Sequence, residues 1–156
     1  MLPQEGGQQP QLFVASRFTE WGAKFSHNGI WIAYVSDESG RYEVYVRPYP
    51  GPGGQWQIST GGGEEPVWAP DGRELFYRNG FKWMAVRFRA TSPEFGAEPP
   101  RLLFGGPYVN VPGFSYDVAP DGQRFIMIRG AEEGKVTQLK VVLNWFEELK
   151  RGVPGR

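Results

Sequence analysis

Three times in this chain a tight polar turn is followed by a short aromatic-rich strand. The copies read FSHNG-IWIAYVS from Phe25 to Ser36, WAPDG-RELFYR from Trp68 to Arg78, and VAPDG-QRFIMIR from Val118 to Arg129. Each turn sets Asn28, Asp71 or Asp121 ahead of Gly29, Gly72 or Gly122. In such a turn the Asx side chain bonds its own backbone and glycine takes the left-handed conformation, so these six residues read as structural. The glycines recur at intervals of roughly 40 to 50 residues, and a period of that length with several strands per unit points to propeller blades.

Strand patterns divide the chain accordingly. Residues 17–60 hold a first unit with strands expected at 23–26, 31–36, 42–47 and 55–59. Its third, YEVYVR, alternates Tyr42, Val44 and Val46 against Glu43, Tyr45 and Arg47, the period of a sheet with two differing faces. Residues 61–105 repeat the order at 65–68, 74–78, 83–88 and 101–104. Here Asn79-Gly80 is expected in a type I′ turn, and Ala90 to Pro100 forms a longer excursion. Residues 106–143 give three strands, at 115–118, 124–129 and 138–143, and no fourth. Residues 144–156 read as a short helix and tail, with Asn144 as cap and Trp145, Phe146 and Leu149 on its inward side. Residues 1–16 read as a Gly/Gln-rich linker followed by an orphan outer strand, Pro10 to Ser16.

The expected fold class is therefore all-β: β-propeller blades, three four-stranded blades per chain, with a short C-terminal helix. Propellers commonly close with about four to eight blades. Three would leave two flat faces of roughly 350 Å² each open to water, more than a soluble monomer normally tolerates. This predicts half of a six-bladed ring, completed by a second copy. In that homodimer the orphan strand of each chain would finish the third blade of the other, and deleting Met1 to Ser16 would abolish the assembly. A trimer would give nine blades, outside the usual range.

The 22 glycines and 14 prolines punctuate this pattern, and 24 aromatic residues (6 Trp, 7 Tyr, 11 Phe) supply buried area. Seventeen basic and seventeen acidic residues balance, which gives no electrostatic reason to expect nucleic acid or an anionic membrane. Without cysteine there is no disulfide, thiolate metal site or Cys nucleophile. No apolar run approaches the roughly 20 residues of a membrane span, and the N-terminus lacks a signal-peptide pattern. It reads instead as the linker of a longer protein.

The pattern F/W-S/A-P-D-G followed by a strand ending in A/F-Y resembles the PD40, or TolB-like, WD40-related propeller repeat. Two copies keep Pro-Asp-Gly and the first departs from it as His27-Asn28-Gly29. WIAYVSDESGRYEVYVRPYPGPGGQWQISTGGG and the closing WFEELKR are similar to the last blades of propellers attached to bacterial receptor-like serine/threonine kinases. The resemblance implies a noncatalytic scaffold or binding platform and, for a parent protein, a periplasmic or extracytoplasmic location. It equally admits an accessory or sensor domain of a larger enzyme such as a kinase or peptidase. A carbohydrate-binding propeller is a third reading.

Catalytic and metal patterns are weak. Gly113-Phe114-Ser115-Tyr116-Asp117 approaches a nucleophile elbow but ends in Asp, and the one histidine, His27, occupies a turn. Asp37 to Gly40 lacks the spaced oxygen ligands of a calcium loop, and Gly61-Gly62-Gly63 lacks the Lys-Ser/Thr of a phosphate loop. No enzyme activity, metal or cofactor is expected. The one binding candidate is a rim of residues just ahead of or on the inner strands: Glu20, Trp21, Glu64, Glu65, Tyr116 and Asp117. Such an acidic and aromatic set suits a peptide or a cation.

Overall fold

The three repeats fold as three antiparallel sheets lying one on the next. The computed structural model describes residues 12–51, 53–89, 96–129 and 139–142. The first sheet runs β1 (Glu20–Phe25), β2 (Trp31–Ser36), β3 (Glu43–Pro48) and β4 (Trp56–Gln57), in that order. The second is built on β5 (Glu64–Trp68), β6 (Glu74–Asn79) and β7 (Lys82–Arg89). Two pieces then pair with β7: β8 (Gly96–Ala97) with its far end and β9 (Arg101–Gly105) with its start. The third sheet is β10 (Tyr116–Val118), β11 (Phe125–Ile128) and β12 (Leu139–Val142). No helix occurs among the described residues. The expected helix from Trp145 lies outside them.

The same turn opens each hairpin between the first two strands of a sheet. Asn28 Oδ1, Asp71 Oδ1 and Asp121 Oδ1 accept the N–H of Ile30, Arg73 and Gln123 at 3.3, 2.9 and 2.9 Å. Gly29, Gly72 and Gly122 follow at φ of 71, 69 and 69°, and each N–H returns to the carbonyl three residues back. One turn differs from expectation. Asn79 pairs with Lys82, which leaves Gly80 and Phe81 as the loop, and only Gly80 has positive φ. Glycine at the first central position with an ordinary second residue suits type II′, not I′. Asn79 instead stays in the ladder.

Two apolar layers hold the sheets together, and strand alternation decides which residue enters which layer. On β6, Leu75 and Tyr77 face the first sheet and pack with Ala33, Val35, Val44 and Val46. Phe76 faces the third sheet and packs with Tyr116, Phe125 and Met127. β7 divides likewise, Val86 to one layer and Trp83 with Ala85 to the other. Burying each large apolar side chain is worth about 1.5–3 kcal/mol, so both faces of the second sheet contribute.

The outward face of the first sheet is not open as an isolated stack of blades would leave it. Ile32, Tyr34 and Tyr45, which alternate with the layer residues, are no more than 4% exposed. Leu12 to Ser16 form no ladder in the single chain. Phe13 rests on the Tyr49 ring at 5.9 Å, and the Thr19 N–H reaches Asp37 Oδ1 at 2.9 Å. This segment is thus fastened at both ends of its own first sheet.

Candidate functional site

The inner strands β1, β5 and β10 each meet the middle of the molecule, and two of them are distorted at matching places. The β1–β2 register shifts between Trp21 and Lys24, and the β5–β6 register between Glu64 and Val67. Gly22 and Glu65 occupy equivalent repeat positions, with φ of 67 and 55°. A left-handed residue at a bulge re-aims its side chain. For Glu65 the result decides its role.

Glu65 was a rim candidate, but its side chain turns into the interface between the second and third sheets. It is 1% exposed. Its Oε2 accepts both the N–H and the hydroxyl of Ser115 at 2.7 Å, and Arg78 Nη1 stands 3.6 Å from Oε1. Arg78 is also 1% exposed, and it donates to the carbonyls of Gly80, Val109 and Tyr108 and to Ser115 Oγ. Its guanidinium lies over the Trp83 ring. The Tyr116 hydroxyl donates to the Glu65 carbonyl at 2.8 Å, and burial, with Glu65 nearby, pushes that phenol well above its usual range. Glu65, Arg78, Ser115 and Tyr116 form an inter-sheet brace. Ser115, the serine of the near-elbow, is committed to it.

A second buried carboxylate, Glu43 of the first sheet, ties down the loop that leads to the second. Glu43 accepts the Ser59 hydroxyl and the N–H groups of Gly61 and Gly62. This fastens the crossing loop. The convergence of these neutral donors on one carboxylate was invisible in the sequence, where Glu43 is simply one residue of an alternating strand.

Two concavities involve residues of the expected rim. A cleft of about 460 Å³ at the N-terminal ends of the inner strands is lined by Trp21, Tyr42, Glu64, Asn110, Val111 and Gly113 among others. Trp21 and Tyr42 meet edge to face at 6.1 Å, and Tyr42 is 39% exposed. Trp21 and Glu64 from the expected rim are thus brought together. Glu20, on β1 and not ahead of it, accepts a hydrogen bond from the Ser16 hydroxyl. Tyr116 and Asp117 line the other concavity instead.

That second one is a groove of about 900 Å³ at the opposite ends of the inner strands, continuing over the free face of the third sheet. Phe25, Phe114 and Ile126 line it and are 45, 36 and 38% exposed. Lys24 Nζ lies 4.3 Å from the centre of the Phe114 ring, and no carboxylate pairs with it among the described residues. Lys24, Val67 and Asp117 are equivalent in the repeat. The charged outliers at that inner-strand position were the available signal for this groove. No group of three or more metal-ligating side chains occurs among the described residues.

The sequence matches no family model and no curated protein. Among solved structures, the chain is similar to the oligogalacturonate lyase of Vibrio parahaemolyticus, a propeller fold, with a TM-score of 0.50 and 15% identity. The fold is that of a β-propeller. The similarity covers 67% of this chain and 27% of the lyase, so it spans about a quarter of that protein. At that identity the likeness concerns fold alone.

Proposed function

We propose that this chain is a noncatalytic propeller scaffold that binds a basic peptide or an organic cation at the cleft of Trp21, Tyr42 and Glu64. The observation that carries the reading is the convergence of an aromatic pair with a partly exposed carboxylate drawn from two different sheets. A ring face attracts a cation within about 6 Å, and a neighbouring carboxylate adds charge-assisted hydrogen bonds. Glu65 belongs to the brace and takes no part.

Titration of an Arg/Lys-rich peptide against the intrinsic fluorescence of the protein tests this. Glu64→Gln and Trp21→Ala should each weaken binding by about tenfold, the worth of one such contact. Equal affinity for wild type and both variants would remove the cleft from consideration.

A second reading, self-assembly into a six-bladed homodimeric ring with exchanged N-terminal strands, is favoured by the three-strand third sheet among the described residues. It requires Phe13 to leave Tyr49 and the first sheet to open its outward face. Light scattering coupled to size exclusion separates a mass of 17.6 kDa from twice that value.

A further inference from the structure

We infer that the groove over the third sheet binds an extended peptide with an acidic residue towards one end, a basic residue towards the other, and apolar residues between them. The inference stands apart from the cleft of Trp21 and Glu64, which lies at the opposite ends of the inner strands. It rests on the order of side chains across the groove and on the bonds that hold its strands in place.

Each repeat places one side chain in the groove at the same position. Lys24 of β1 and Asp117 of β10 stand on either side of Val67 of β5. The order across the groove is therefore basic, apolar, acidic. Phe114 and Ile126 add partly exposed apolar surface. Lys24 Nζ lies over the Phe114 ring, and Asp117 Oδ1 accepts the N–H of its neighbour Val118. Neither charge has an ion-pair partner among the described residues, so both keep bonding capacity for a ligand.

The walls are set before a ligand arrives. The Trp68 indole N–H donates to the Lys24 carbonyl at 3.1 Å and ties β5 to β1, while the Tyr116 hydroxyl donates to the Glu65 carbonyl and ties β10 to β5. A preorganised groove lowers the ordering cost of binding. Its continuation over Ile126 and Ile128 of β11 suits an extended chain. Stacked sheets lie about 10 Å apart, so Lys24 and Asp117 stand on strands separated by at most roughly 20 Å. The lysine side chain, reaching to Phe114, shortens the gap between the charges. At about 3.3 Å per residue, about two to five residues between acid and base cover the interval. A ligand of one charge sign would meet a like charge at one end, and the groove selects against it.

Fluorescence anisotropy of labelled peptides titrated with the full chain tests this. The probes carry two to five Ala/Leu residues between Glu and Lys, with Glu/Glu and Lys/Lys versions as controls. Charge preference is read in Glu64→Gln, which removes the cleft's carboxylate, so the outcome does not depend on the cleft. At least one mixed peptide should bind several-fold tighter than either control, and equally well to wild type. Adding Lys24→Glu makes both ends of the groove acidic. It should weaken the mixed peptide about tenfold, the worth of one charge-assisted contact, and turn the preference to Lys/Lys. That gain also shows the variant to be folded. Ile126→Ser should weaken the mixed peptide several-fold and leave the charge preference as it was. Failure of every mixed peptide to bind, or equal binding of all three charge types, would overturn the inference. So would a preference that survives Lys24→Glu. Mixed-peptide binding seen in wild type and lost in Glu64→Gln would place the peptide in the cleft and overturn it as well.

Discussion

Arg78→Met should be among the most destabilising single changes in this chain, because it removes the guanidinium and leaves the carboxylate it faces. Met is apolar, long and flexible, so it fills much of the space without a cavity. What it cannot do is serve Glu65, whose carboxylate is 1% exposed and would keep only the two bonds from Ser115. It also strands the carbonyls of Tyr108 and Val109. Breaking a buried ion pair from one side costs about 3–5 kcal/mol. By contrast, Arg124→Ala breaks an exposed pair with Asp121, 45% and 42% exposed, and should cost far less because solvent screens it. Urea unfolding followed by tryptophan fluorescence measures both. Glu65→Gln/Arg78→Met should recover part of the loss, since no buried charge is then left alone. An Arg78→Met cost no larger than that of Arg124→Ala, or no recovery in the double variant, would refute the brace.

Gly63→Ala should destabilise by about 1–3 kcal/mol, the usual cost of overpacking. An added Cβ would stand 2.2 Å from Ser59 Oγ, which itself holds the Val44 N–H and Glu43. Gly54→Ala, whose new methyl would meet only the Trp56 ring at 3.5 Å, should be near neutral in the same urea unfolding. Alkaline titration gives an independent check on packing. Burial pushes the phenols of Tyr34 and Tyr77 up to about 12, against about 10 in the unfolded chain. The folded chain thus holds those protons more tightly, so stability is full below pH about 10 and falls as pH rises towards about 12. Absorbance at 295 nm should show these two tyrosines ionising with unfolding, and a single titration of all seven near pH 10 in folded protein would contradict their burial.

The strands and their order were legible because the signals are local. Alternation in YEVYVR, the Asx-Gly turns and their spacing depend on residues within a few positions of one another, so they survive without knowledge of the partner sheet. Where the local rule has a near alternative, it slipped: Asn79-Gly80 satisfies the composition of a type I′ turn, but the ladder to β7 extends one residue further and shifts the loop to Gly80-Phe81.

The site was less legible, for a geometric reason. Glu64 and Glu65 are indistinguishable as a sequence pair, yet a single left-handed residue sends one carboxylate to the cleft and the other into a buried interface. The partners of Glu65 lie 13 and 50 positions away, at Arg78 and Ser115, and no local pattern joins them. The sequence by itself determined the repeat, the turns and the apolar faces, all short-range properties of the chain. Only the tertiary structure decided which charges are spent on bracing the sheets and which remain at a surface, because stacking the sheets sets the direction of each side chain and its distance from water.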